Sequence, residues 1–140
     1  MSEPVKFHFD VNGDNFASAG EASVAIKKLL RQLNLNPDII RRVSIAMYEG
    51  EINMVIHANG GDADVIVYPD KIQIILEDRG PGIDDIELAM KEGYSTAQDN
   101  VRSLGFGAGM GLPNMKRYTD SMVIESEVGK GTKVTMEVLL

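Results

Sequence analysis

A carboxylate and a carboxamide four residues apart, Glu49 and Asn53, form the pair in this chain best spaced for chemistry. Residues four apart in an α-helix stack on one face and project together. Stepping 100° per residue from Pro37, one apolar stripe holds Ile39, Val43, Ala46, Met47 and Met54, and a second holds Ile45, Ile52 and Ile56. A narrow polar line of Arg42, Glu49 and Asn53 runs between them. Polar groups wedged between apolar stripes are costly unless they are paired or face a ligand. The plain reading is a helix surface with partly buried stripes. The chemical reading is an acid/base beside an oxygen that orients a metal.

A second constellation follows the apolar run Ile72-Gln73-Ile74-Ile75-Leu76. The segment Glu77-Asp78-Arg79-Gly80-Pro81-Gly82-Ile83 puts a carboxylate at a strand end, where it can accept from an exocyclic amine. Two glycines around a proline let the backbone approach a flat ligand closely, although a Gly-Pro-Gly turn capped by Asp78 needs no ligand. A third is Gly105-Phe106-Gly107-Ala108-Gly109-Met110-Gly111-Leu112, ahead of Pro113-Asn114-Met115-Lys116-Arg117. Alternating glycines before a helix free N–H groups to cradle phosphate, and equally make a hinge. Two familiar nucleotide motifs are excluded. The third glycine of G-x-G-x-x-G is Asp85 here, and Gly129-Lys130-Gly131-Thr132 lacks the upstream glycine of a Walker A loop and opens no helix.

These residues need elements to hold them. Val5 to Phe9 alternates and reads as a strand. Ser18 and Glu21 form a capping-box pattern before a helix whose apolar face is Ala22, Ile26, Leu29, Leu30 and Leu33. Asn36-Pro37 opens a second helix running to about His57. Asp64 to Tyr68 and Lys71 to Glu77 read as a hairpin around Pro69-Asp70. Asp84 to Glu92 reads as helix, Gly93 to Gly109 as a long loop, and Gly111 to Tyr118 as helix. Ser121 to Val128 and Thr132 to Leu139 close the chain as a hairpin around Gly129-Lys130-Gly131. Hairpin-linked strands do not suit an all-parallel sheet. They predict a mixed, mostly antiparallel sheet with helices on one face, an α/β (α+β) two-layer sandwich.

The 140 residues are expected to form one domain, and 44% hydrophobic with 25% charged residues is ordinary for a globular protein. The absence of cysteine excludes disulfides, thiol catalysis and cysteine metal sites. The net charge of −7, with no concentration of Lys and Arg, argues against a nucleic-acid partner. No apolar run reaches membrane-spanning length, and Met1-Ser2-Glu3-Pro4 has no signal-peptide character, so no membrane association is expected and a cytoplasmic location is.

The ordered set Glu49-x-x-x-Asn53, Asp78-x-Gly80-x-Gly82-Ile83, the Gly105–Gly111 run and the late Gly129-Lys130-Gly131-Thr132 resembles the GHKL ATPase superfamily over nearly the whole chain. Within it, Gly93-Tyr94-Ser95-Thr96, Gly111-Leu112-Pro113 and Ile56-His57-Ala58 resemble the bacterial anti-sigma-factor and switch-protein serine/threonine kinases. Tyr48 departs from the serine usual in that branch. Gly50 departs too, at a cost of about 1 kcal/mol relative to alanine inside a helix.

The resemblance implies a Bergerat-type fold and Mg·ATP. It implies that Asp78 accepts from the adenine amino group, with Thr132 assisting through water, and that Asn53 binds Mg²⁺. Gly80, Gly82 and Ile83 would admit the nucleotide. Gly105, Gly107, Gly109, Gly111 and Leu112 would close over the phosphates, with Ser95 and Thr96 as lid contacts. Glu49 would orient or deprotonate the nucleophile. The partner implied is a small STAS-domain anti-anti-sigma protein phosphorylated on serine or threonine. The alternative is a nucleotide-regulated module that sequesters a sigma factor without significant transfer. Relatives of this type are often homodimers. His8 and His57 are the only histidines, and His57, at the end of the second helix, reads as structural or a cap rather than as a phosphoryl carrier.

Overall fold

The computed structural model describes residues 4–12, 20–58, 60–80, 82, 90 and 111–140, with the backbone alone for 56–58 and 111. Among them the chain runs β1 (Val5–Asn12), α1 (Glu21–Gln32), α2 (Pro37–Ala58), β2 (Gly60–Val67), β3 (Lys71–Asp78), α3 (Gly111–Arg117), β4 (Ser121–Glu127) and β5 (Gly131–Leu139). The strands form one sheet in the order β1-β2-β3-β5-β4. Every pairing between described strands is antiparallel. The expected α/β fold is present. The strand order puts β3 at the centre of the sheet with β5 beside it.

Alternation decides which face is covered. Ile72, Ile74 and Leu76 on β3 stand opposite Val138, Met136 and Val134 on β5, and all six are buried. They meet Ile26 and Leu30 of α1 and Val43, Ala46, Met47 and Met54 of α2 in one core cluster. Burying a branched aliphatic side chain contributes about 1.5–3 kcal/mol. Ile26 and Leu30, fully buried, are the main apolar anchors of α1, a 12-residue helix that has no side-chain N-cap of its own. Leu33, expected on that face, is the C-cap residue and is exposed, because the helix ends at Gln32.

Local signals explain the element ends. The Asn36 side chain accepts from Asp38 N at 2.8 Å, the expected cap of α2. The Tyr68 N–H donates to Lys71 O at 2.8 Å and closes the β2–β3 hairpin around Pro69-Asp70. Lys130 N donates to Glu127 O at 3.0 Å and closes the second hairpin. β2 starts four residues earlier than Asp64, since Gly60, Gly61, Asp62 and Ala63 all pair with β1. The capping box is corrected: the N-cap of α1 is Gly20, and the carboxylate that receives its first N–H groups comes from Glu51 on α2. Ser18 lies outside the described residues, as do the segments expected to be helix at 84–92 and loop at 93–109. No helix among the described residues is long and apolar enough to cross a membrane.

Candidate functional site

α2 packs against β3 at Gly50, between Glu49 and Asn53, with no room there for a side chain. A Cβ at Gly50 would overlap Leu76 Cδ1 and come within 3.2 Å of Met115 Cε. The glycine that looked costly inside a helix lets α2 seat directly on β3, two residues before Asp78. It also places Met115 of α3 over the same turn of α2. Asn53 Nδ2 points at the Met115 sulfur at 3.9 Å, and no described residue bonds its carboxamide oxygen.

Glu49 is half-buried. Burial pushes its carboxyl above the ordinary carboxylate value, and a hydrogen bond from the Asn114 side chain pulls it partly back. Asn114 Oδ1 in turn accepts from Arg117 Nη1 at 3.4 Å. The sequence reading passed over Asn114: a single carboxamide in a seven-residue helix carries no periodic signal. Arg42, the third member of the polar line, does not join the pair. Its Nε donates to Tyr118 O and its Nη2 to Asp120 Oδ2, both at 3.1 Å, which ties α2 to the start of β4.

Asp78 ends β3 as an anchored carboxylate. Its Oδ1 accepts from Gly80 N at 2.9 Å and Thr132 N at 3.1 Å, while its Oδ2 takes no hydrogen bond among the described residues. One oxygen is fixed by backbone N–H groups from the β3 exit and from β5, and the other is available as an acceptor of fixed direction. Asp78 and Thr132, which the resemblance assigns to the same adenine edge, are neighbours, and Thr132 Oγ1 is 2.9 Å from Ser126 Oγ.

Glycines make this close packing possible. Gly82 has φ +81°, and a Cβ there would stand 2.5 Å from the Glu127 carbonyl oxygen. Gly131, at φ +125°, faces the Asp78 carbonyl oxygen and lies 3.1 Å from Arg79 Cα in the same sense. The β3 exit and the β4–β5 turn interlock, backbone against backbone. The close approach that Gly82 permits is thus to the protein's own Glu127–Val128 segment. Gly80 is buried beside Asp78. Leu112 is partly buried and packs against the core from α3, and Gly111 is the first residue of that helix. Ile83, Ser95, Thr96, Gly105, Gly107 and Gly109 lie outside the described residues.

The described site residues thus form two groups, Glu49 and Asn53 on α2 against Asn114 and Met115 of α3, and Asp78 at the β3 end against Gly80 and Thr132. Comparison with known proteins places this geometry. Residues 15–138 match the model of the histidine kinase-like ATPase domain. The chain belongs to the histidine kinase-like ATPase family. Family membership carries ATP binding and a kinase or ATPase activity. A protein of Clostridium beijerinckii named anti-sigma F factor is 34% identical over 122 residues, covering 83% of this chain and 82% of that one. The anti-sigma F factor of Clostridium perfringens is 29% identical over 143 residues, covering 98% and 96%. The mycobacterial sensor histidine kinase MprB shares the fold, with a TM-score of 0.54 at 14% identity over 96% of this chain and 97% of that one.

Proposed function

We propose that this histidine kinase-like ATPase is a serine/threonine protein kinase of a cytoplasmic partner-switching pathway. Its substrate is a small STAS-domain anti-anti-sigma protein, and a sigma factor is its second partner. The observation that carries the reading is Glu49, a half-buried carboxylate whose pKa burial raises, one helical turn from Asn53 on α2 in an ATPase of this family. A base whose pKa is raised toward the working pH gains proton affinity without losing its deprotonated form, as general-base catalysis requires.

Each residue then has a role. Asp78 accepts from the adenine amino group through Oδ2, its other oxygen being fixed by Gly80 and Thr132. Thr132 assists at the same edge. Asn53 would hold Mg²⁺ through its carboxamide oxygen, and the ion would supply positive charge against the phosphates. Gly111 and Leu112, with Gly105, Gly107 and Gly109, face the phosphates, and Ile83, Ser95 and Thr96 complete the nucleotide contacts. Glu49 takes the proton from the attacking serine or threonine hydroxyl. The hydroxyl oxygen bonds to the γ-phosphorus, the bond from that phosphorus to the β,γ-bridging oxygen breaks, and ADP leaves.

The name of the clostridial relatives favours a second reading, in which sequestering a sigma factor is the main act and nucleotide tunes partner choice. One experiment separates the two. The protein is incubated with γ-labelled ATP and Mg²⁺ in a lysate of the source organism, beside Glu49→Ala. A labelled small protein that disappears with the variant establishes the kinase and identifies its substrate. No label with ATP binding intact overturns phosphotransfer in favour of sequestration.

A further inference from the structure

The groove between the end of α1 and the start of α2 takes no part in the nucleotide chemistry. Asn34, at φ +58°, is the one non-glycine residue of positive φ among the described residues, and it turns the chain between the two helices. The turn leaves a groove of about 440 Å³. Lys27 and Arg31 of α1 and Arg41 of α2 line it, so cations that are spaced out along the sequence meet in one place. Leu35, Pro37 and Ile40 give it an apolar floor. No acid lines it among the described residues, in a chain whose net charge is −7.

Folding does not need this convergence. Lys27 and Arg31 stand four apart on one helix, where like charges repel. Neither has an ion pair among the described residues. Arg31 lies in the last turn of α1, where a cation complements the negative helix end, so the dipole accounts for that charge. Lys27 lies a turn earlier and has no such reason. Arg41 donates from Nη2 to Asp38 Oδ1 at 2.9 Å, and its guanidinium stands 5.7 Å from the centre of the Tyr118 ring. Asp38 is thus spent on one cation of the three, and the other two lack a counter-charge.

Rim and floor together select the occupant. A bilayer surface is too broad to enter a groove between two helices. Nucleic acid is bound through a track of phosphate contacts, which three cations around an apolar floor do not make. An acidic stretch of polypeptide matches both parts, its carboxylates meeting the rim and an aliphatic side chain covering the floor, as in the apolar centre and polar rim of protein interfaces. We propose that this groove docks an acidic segment of a protein partner, with an aliphatic side chain of that segment seated on Leu35, Pro37 and Ile40. Ile40 precedes Glu49 on α2 by about 13 Å of helix, so the docked segment leaves the nucleotide site open. Docking requires neither nucleotide nor phosphotransfer.

The test is fluorescence polarisation of a labelled synthetic peptide, alternating Asp and Glu around two central leucines, titrated with the full chain free of nucleotide. Saturable binding that weakens as salt rises is expected. Lys27→Glu weakens it about 10-fold. Lys28→Glu makes the same charge change on the same helix outside the groove, and weakens it by about 2-fold at most. Replacing the peptide's leucines by serines costs about 10-fold again, through the floor alone. Each variant is also titrated with ATP and keeps its nucleotide affinity. Should Lys27→Glu fold poorly, the leucine-free peptide on the unaltered chain decides. No saturable binding, equal losses in Lys27→Glu and Lys28→Glu, or equal affinity for the leucine-free peptide overturns the docking groove. Tighter binding of a single-stranded oligonucleotide of the same charge overturns the polypeptide as its occupant.

Discussion

The two flanks of α2 each carry a glutamate, and they treat it in opposite ways. Glu49 and Glu51 are two residues apart, about 200° around the helix, so one faces α3 and the other α1. Glu51 is 3% exposed and fully engaged: Oε2 accepts from Gly20 N at 2.9 Å and Ala22 N at 3.1 Å, and Oε1 from Ser23 N at 3.1 Å. These are the orphan donors of the first turn of α1, at the positive end of its dipole. Glu49 is half-buried, receives the Asn114 side chain, and is pushed up in pKa by its surroundings. Donor supply, more than burial, separates the two. A carboxylate saturated by backbone N–H groups is a structural tie, whereas an undersupplied one keeps lone pairs and proton affinity for a reaction.

That contrast predicts opposite phenotypes for one substitution. Under the proposed kinase reading, Glu49→Gln lowers phosphotransfer about 10²- to 10⁴-fold, the range for removal of a general base. Its urea midpoint stays near that of the parent, because the change removes a desolvated charge. Glu51→Gln does the reverse. A carboxamide oxygen cannot serve three donors, and its NH₂ faces one of them, so stability falls by about 2–4 kcal/mol. Phosphotransfer well below the melting temperature falls only as far as the folded fraction does. Equal stability losses in the two variants would end the distinction.

How far the sequence reached follows the same logic. Motifs of fixed spacing were legible: Glu49 and Asn53 share a helix turn, Asp78 ends a strand, and Asp78 meets Thr132 N at 3.1 Å although 54 residues separate them. Element types were legible wherever periodicity or caps were strong, as in the Asn36-Pro37 start of α2 and the alternation of β5. Partners set by tertiary contact were not. Nothing near Glu51 marks it as the cap of a helix that begins thirty residues earlier, and the pattern at Ser18 and Glu21 offered a local cap instead. The interlock of Gly82 with the Glu127–Val128 turn was not legible either, because the two are distant in sequence. The start of β2 was obscured by Gly60 and Gly61, whose strand pairing no side-chain pattern announces.

The ground between the flanks offers a smaller effect. Gly50 separates the two glutamates, and its missing side chain sets the distance from α2 to β3. In an isolated helix Gly50→Ala would stabilise by about 1 kcal/mol. Here the new methyl overlaps Leu76 Cδ1, which is 2% exposed and has little room to move, and overpacking of that kind costs about 1–3 kcal/mol. A net loss of about 1 kcal/mol is expected by urea titration, and Gly50→Ala with Leu76→Val should lose less than the sum of the single changes. An additive double variant would mean that α2 shifts bodily, and then both flanks, Glu49 with Asn114 and Glu51 with α1, would be disturbed together.

The finest adjustment lies in Asn114. Its hydrogen bond favours the ionised form of Glu49 and opposes the burial that favours the neutral acid. Asn114→Ala removes that bond together with the Arg117 contact behind it, so the Glu49 pKa rises. A general base works when deprotonated, and activity is therefore lost on the acidic side as pH falls through its pKa. With the pKa raised, the acid limb of the kcat/KM profile moves to higher pH, while the KM for ATP stays as it was. Arg117 donates to the Asn114 oxygen at 3.4 Å, a long contact, so Arg117→Gln moves the limb in the same direction by less. An acid limb that stays in place in Asn114→Ala would show that the group titrating in the profile is not Glu49. The flank facing α3 would then hold its carboxylate, as the flank facing α1 does, for structure alone.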